Sequence, residues 1–351
     1  MEKETKILSW NELDEVIRLL KKGEIIAFPT DTVYGLAAIA TKKAAFEELV
    51  RVKNRNPEKP FTLMCASLGM AAIYGEMNCP TAETMKQFFP GKVTALLKAR
   101  KGVPSWVTLG KETVGIRVPD DKNVLALIEN LRAPLLVPSA NISDNPPLSK
   151  FEDVVKVFDG KIAAIIKGGC SEKVPSTIVN FVGEPALVRE GPIPFERIQN
   201  VYKDAFEKPL VISLGSDHGG FKAKQAIKKH LKASGYIIKD VGTHNKKSCD
   251  YPLFGIKAAQ LVANKEVDFG ILVCTSGEGI MISANKVPGI RCGLGYDDEA
   301  TAKTREHNNA NMVAFGQKYI PLKNILRRVD IFLAEKFSSE EKHQRRVSEI
   351  E

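Results

Sequence analysis

From Leu210 onward the chain alternates short apolar runs with amphipathic ones in a β-α-β rhythm, a pattern that few folds accommodate. Leu210–Leu214 reads as a buried strand, Gly215–Gly220 as a turn, Phe221–Ala233 as a helix and Tyr236–Val241 as a second strand. Strand Phe269–Cys274, helix Ile280–Asn285, strand Arg291–Gly295, helix Asp298–His307, strand Asn311–Phe315 and helix Pro321–Lys336 complete the series. Helical crossovers join parallel strands. The prediction is a doubly wound, Rossmann-like parallel sheet with ligands at the carboxyl ends of its strands.

Before Leu210 the grammar differs. Apolar residues at helical spacing over Asn11–Lys22 lead through Gly23 to a strand at Ile25–Phe28. Helices are predicted at Lys43–Lys53, Ala82–Phe89, Val124–Leu131 and Phe151–Phe158. Strands are predicted at Thr94–Lys98, Val114–Val118, Leu135–Val137, Ala163–Ile166 and Ser176–Phe181, giving an α/β domain with a twisted mixed sheet. Gly191, Pro192 and Pro194 then stop the chain, and a polar, partly helical linker follows. The expected division is a domain over 1–200, a linker over 201–208 and a second domain over 209–351.

All five histidines, at 218, 230, 244, 307 and 343, fall in the second part, so chemistry in the first must proceed without imidazole. The six cysteines form no CxxC pair, and neither a disulfide framework nor a metal ligand set is indicated. No apolar run is long enough to span a membrane and the first ten residues lack a signal core, so a cytoplasmic location is expected.

Three polar islands interrupt the first part: Phe28-Pro29-Thr30-Asp31-Thr32-Val33-Tyr34-Gly35-Leu36, the cations Lys53, Arg55 and Lys59, and Pro138-Ser139-Ala140-Asn141 after a buried strand. Singly they are compatible with a helix cap, a solvated charge run and a turn. Together they resemble the YrdC-like threonylcarbamoyl-AMP synthase family, whose KxR and SxN signatures stand as Lys53-x-Arg55 and Ser139-x-Asn141. Pro90-Gly91-x-x-Thr94, Gly115-Ile116-Arg117-Val118-Pro119, Ser176-Thr177-Ile178-Val179 and Arg189-x-Gly191 extend the match. The resemblance implies condensation of L-threonine, bicarbonate and ATP, carried with Mg2+, into threonylcarbamoyl-adenylate for a tRNA modification. It implies Lys53, Arg55, Lys59 and Arg117 on the phosphates. Thr30, Tyr34, Ser139, Asn141, Ser176, Thr177 and Arg189 would hold threonine, its carbamate or the nucleotide. Phosphoryl and adenylyl transfer need charge neutralisation and positioning more than a nucleophilic side chain. Lys92 and Cys65 depart from the family's usual proline and histidine, and the extra C-terminal domain of the longer synthases is replaced by a different one.

In the second part Cys274-Thr275-Ser276-Gly277-Glu278-Gly279 ends a strand and opens a helix, where backbone N–H groups can cradle an oxyanion. With Asp217-His218, Asp250-Tyr251-Pro252, His307-Asn308 and Lys342-His343-Gln344-Arg345-Arg346, it resembles ribose-5-phosphate isomerase B and its sugar-phosphate isomerase relatives. The resemblance implies a cofactor-free aldose-ketose isomerisation through an enediolate. Cys274 would be the base, Ser276 with the Gly277–Gly279 amides the cradle, His307 the ring opener with Asp217 nearby, and Asn308 a positioning residue. His218, Asp250, Tyr251, Lys342, Arg345 and Arg346 would bind the sugar phosphate. Asp217-His218 and His307-Asn308 are both expected at carboxyl-end loops, and the site is expected to be shared by two subunits of a dimer or tetramer.

The competing reading makes the first domain an RNA-binding module and the second an isomerase of allose or galactose 6-phosphate. Up to Glu207 the chain carries 28 Lys and Arg against 26 Asp and Glu, a balance that argues against strong nonspecific binding to tRNA or other RNA. Proteins of tRNA modification are the partners the first domain implies.

Overall fold

The computed structural model describes residues 4–54, 60–143, 145–338 and 340–350. The chain divides into two compact units, Met1–Glu76 with Gln87–Val201, and Met77–Lys86 with Tyr202–Glu351.

In the first unit the opening helix is Leu13–Lys22, with Asp14 and Glu15 in its first turn and Lys21 and Lys22 in its last, each complementing the helix dipole. Gly23 ends it at φ 94°, a left-handed conformation that glycine adopts without penalty. Val16, Leu19 and Leu20 are its buried stripe. The sheet is mixed: Lys6–Leu8 pairs in parallel with Ala164–Ile166, whereas Ile26–Phe28 pairs antiparallel with Gly35–Ile39. Beyond Gly35–Ile39 the order runs Leu135–Leu136, Leu63–Met64, Thr113–Arg117, Val93–Ala99, Thr177–Asn180 and Ala186–Arg189. The polar stretch after Pro194, read from sequence as a partly helical linker, is one 13-residue helix, Phe195–Glu207. Ile198 anchors it by full burial.

The second unit is the parallel sheet that the alternation requires, ordered Ile237–Asp240, Val211–Ser216, Phe269–Cys274, Met312–Gly316 and Cys292–Leu294. Because successive strand residues point to opposite faces, Ile271 and Val273 enter one core with Ile227, Leu231, Val329 and Phe332. Leu272 and Cys274 enter the other, with Ala258, Ala259, Ile280 and Ala284. Two helices went unpredicted as such: Tyr251–Ala263, which supplies much of the second core, and the terminal Glu341–Ser348. Lys224 is 0% exposed, its ammonium 2.6 Å from Asp240 Oδ1, while Lys228 holds Asp240 Oδ2 at 2.9 Å. Among the described residues no helix is long and apolar enough to cross a membrane.

Candidate active sites

The first unit contains a cavity of about 180 Å³ whose walls include Thr30, Tyr34, Arg117, Ser139, Ser176 and Arg189. Arg117 comes from the end of strand Thr113–Arg117, and its buried guanidinium is fixed on three sides. Nη2 lies 2.6 Å from Asp31 Oδ1, Nη1 donates to Thr32 Oγ1 at 2.8 Å and Nε donates to the Gly91 carbonyl at 3.0 Å. Burial pulls its pKa down and Asp31 opposes that pull. Arg189 donates to the Ser176 carbonyl at 2.7 Å, and burial together with the Arg117 charge pulls its pKa down too. Two guanidiniums thus converge on one polar cavity, an arrangement suited to an anion with several oxygens.

Other expected binding residues, some of them in the cavity wall, engage their polar atoms within the protein. Lys53 is buried, and its ammonium donates to the Ser139 carbonyl, the Asn141 carbonyl and Asn141 Oδ1 at 2.7, 2.9 and 2.8 Å. It therefore ties down the Ser139–Asn141 turn, where the sequence suggested a phosphate contact. Asn141 is occupied by that turn as well, its Nδ2 donating to the Ile142 and Asn145 carbonyls. Thr177 Oγ1 donates to the Ile193 carbonyl, and the Tyr34 hydroxyl lies 2.8 Å from the Gly168 carbonyl and 3.0 Å from that of Ile166. Thr30 Oγ1 donates to the Val33 carbonyl and accepts from Thr32 N–H, shaping the loop under the cavity. Arg55 and Lys59 lie outside the described residues. Cys65 is fully buried, its thiol pKa pushed up by burial, and is not part of the cavity wall. Lys92 forms an ion pair with Glu172. Sequence reasoning missed Asp31 and Thr32, although both sit inside the island it singled out.

In the second unit three parallel strands end side by side, with Ser216 opposite Val273 and Cys274 opposite Gly316. Cys274, 3% exposed, accepts the Gly277 N–H at its sulfur over 3.0 Å, and Ser276 Oγ accepts from Glu278 N–H at 3.3 Å. The expected cradle amide of Gly277 is therefore engaged by the expected base. Gly277 has φ 89°, and a side chain there would collide with Leu294 and the Phe315–Gly316 backbone, so glycine is required. Asp217 caps the following turn by accepting from Gly220 N–H at 3.0 Å, and His218 Nδ1 accepts from Cys249 N–H at 3.2 Å. Asp250 is exposed at the start of helix Tyr251–Ala263, and the Tyr251 ring lies where a Cβ on Gly279 would be. The sequence missed the turn after Met312–Gly316: Gln317 and Lys318 donate backbone hydrogen bonds to the Cys274 and Thr275 carbonyls.

His307 and Asn308 are not at the carboxyl edge. Helix Asp298–Asn308 leaves that edge after strand Cys292–Leu294 and returns to the amino edge, where Asn309–Asn311 lead into strand Met312–Gly316. The Asn308 carbonyl accepts from Arg291 Nε at 3.2 Å, just before strand Cys292–Leu294. There His307 stacks on His343 of the terminal helix Glu341–Ser348, which also carries the exposed Lys342, Arg345 and Arg346. Lys342 is paired with Glu340 at 2.6 Å, and Arg345 with Glu349 at 3.8 Å. The candidate residues of the second unit thus form two groups on opposite edges of one sheet.

Such sites define a two-unit α/β chain of the small-molecule enzyme class, with an anion-binding cavity in a mixed sheet and a cysteine loop at the strand ends of a parallel one. The chain belongs to two families, one per unit. Residues 18–191 match the Sua5/YciO/YrdC family, described as telomere recombination, and residues 212–350 match the LacAB/RpiB family, described as ribose/galactose isomerase. The Bacillus subtilis threonylcarbamoyl-AMP synthase is 34% identical over 238 residues, 64% of this chain and 69% of that protein. The ribose-5-phosphate isomerase B of Mycolicibacterium paratuberculosis is 40% identical over 137 residues, 39% of this chain and 86% of that protein. The crystal structure of Escherichia coli YciO superposes with a TM-score of 0.52 at 27% identity, covering 56% of this chain and 100% of that one.

Proposed function

We propose that the chain is a bifunctional enzyme. Its first unit forms L-threonylcarbamoyladenylate from L-threonine, bicarbonate and ATP, and its second interconverts ribose 5-phosphate and ribulose 5-phosphate. The observation that carries the first activity is the convergence of Arg117 and Arg189 on one cavity. In that reaction the carbamate oxygen of N-carboxythreonine attacks the α-phosphorus of ATP and pyrophosphate leaves. Two fixed guanidiniums can neutralise charge on the phosphates without a proton-transfer residue. Magnesium would enter with the nucleotide. No carboxylate is among the described residues of the cavity wall, so the nucleotide's own phosphates would carry the ion.

For the isomerase, the thiolate of Cys274 takes the C2 proton of the open-chain aldose and returns it to C1, while the O2 hydroxyl proton passes to O1 across the enediolate. Ser276 and the Gly279 amide hold the enediolate oxygens, the Gly277 amide being engaged by the Cys274 sulfur and that of Glu278 by Ser276 Oγ. Because His307, Asn308, Lys342, Arg345 and Arg346 lie on the edge opposite Cys274, ring opening and phosphate binding in that site fall to a second copy of the chain. A homodimer with two shared sites satisfies this geometry. The test is an assay of the intact chain: pyrophosphate release must depend on threonine, and ribose 5-phosphate must be converted to the ketose. Pyrophosphate release indifferent to threonine would refute the first assignment, and absence of ketose the second.

A further inference from the structure

His343 is 5% exposed on helix Glu341–Ser348, and its ring lies face to face with that of His307, centroids 4.0 Å apart and planes 12° from parallel. Its Nε2 is buried with no hydrogen-bond partner among the described residues. Buried polar atoms are almost always paired, because leaving one unpaired is unfavourable. What this ring contributes therefore comes from its face. Val347, one helical turn on, is the other buried residue of the helix, so the two form the stripe by which it docks.

An imidazole at the end of a helix can rotate about two side-chain bonds. Acid-base work on a sugar oxygen needs one ring nitrogen within hydrogen-bond reach, so those rotations must be restricted. We propose that His343 is a positioning residue: its ring clamps His307 in the orientation that opens the sugar ring, and couples that step to docking of the helix bearing Lys342, Arg345 and Arg346. The inference rests on the isomerase reading.

The full-length chain carrying His343→Ala tests it beside His343→Phe, which keeps an aromatic face and gives up no Nε2 hydrogen bond. Turnover of ribose 5-phosphate at saturation falls about tenfold or more with alanine and stays within about threefold of the parent with phenylalanine. Exchange of solvent deuterium into ribulose 5-phosphate, an acyclic ketose that enolises without ring opening, stays within about twofold of the parent in both variants at saturation. Unchanged turnover in His343→Ala, equal impairment by both substitutions, or loss of exchange along with turnover would overturn the clamp. A parent chain with no ribose 5-phosphate turnover would instead overturn the isomerase reading, and the clamp with it.

Discussion

Whether a polar side chain in this protein can meet a substrate depends on which of its atoms are already spent. Arg117 spends one hydrogen from each nitrogen of its fork on the protein and leaves two of its five N–H groups uncommitted. Arg117→Ala is therefore expected to lower kcat/KM for threonine-dependent pyrophosphate release by about 10²-fold or more and, by stranding the buried Asp31, to lower thermal stability as well. Arg117→Lys should not rescue it, since an ammonium lacks the planar fork whose three separate nitrogens reach Asp31, Thr32 and Gly91. Lys53 donates to the Ser139 and Asn141 carbonyls and to Asn141 Oδ1, so Lys53→Ala should lose thermal stability along with activity. Cys274→Ala should lower isomerase kcat by about 10² to 10⁴, the weight of a general base. Among the other thiols, Cys65 and Cys292 are buried with pKa values pushed up by burial, and Cys79 is raised to about 11 by the same cause. These three should resist iodoacetamide at neutral pH while the half-exposed Cys249 reacts, which peptide mass mapping would show. The residue types of both sites were legible in the sequence. Their use was not, because a lysine that builds a turn and one that grips a phosphate are spelled alike.

Elements carry the next layer of the account. Asp240, at the end of strand Ile237–Asp240, is 7% exposed; burial works against its charge, yet Lys224 and Lys228 outweigh it and hold the carboxyl below its ordinary value. A depressed carboxyl pKa stabilises the fold above the unfolded value of about 3.9, and the contribution is lost as pH falls through the lower folded value. Asp240→Asn strands the buried Lys224 and should cost about 3 to 5 kcal/mol at pH 7. In urea unfolding the gap from the parent should narrow toward pH 3; a gap that is the same at both pH values would contradict the pairing. Helices Lys43–Lys53, Phe151–Phe158 and Phe221–Ala233 and strand Phe269–Cys274 run between the very residues their periodicity indicates. Gly35–Ile39 escaped notice because Ala37 and Ala38 give a weak β signal, and the pair Leu63–Met64 is too short for alternation to register, whereas the equally short Leu135–Leu136 lies within the strand expected at Leu135–Val137. Tyr251–Ala263 escaped because Leu253 and Ile256 add exposed apolar residues to its buried stripe and blur the helical period. The edge occupied by His307 was misjudged because a motif conveys residue order, while direction follows only once the helix is seen to return antiparallel to its strands.

For the whole molecule, Cys274 and His307 lie on opposite edges of one sheet, and on the proposed isomerase reading a complete site calls for two copies of the chain. Mixing inactive Cys274→Ala and His307→Ala chains under subunit exchange should restore about a quarter of parent activity. About half of the dimers are then mixed, and each mixed dimer has one intact site and one doubly damaged site. No recovery despite proven exchange would place each site within a single chain. The synthase and isomerase reactions share no intermediate, and their candidate residues belong to different units. The central claim is therefore that one chain carries two independent active sites. It is tested most directly by assaying threonine-dependent pyrophosphate release and ribose 5-phosphate isomerisation on the same preparations of parent, Arg117→Ala and Cys274→Ala full-length protein. The account predicts both activities in the parent, loss of the first alone with Arg117→Ala and loss of the second alone with Cys274→Ala. A parent with only one activity, or a single substitution that abolishes both while the protein stays folded, would contradict it.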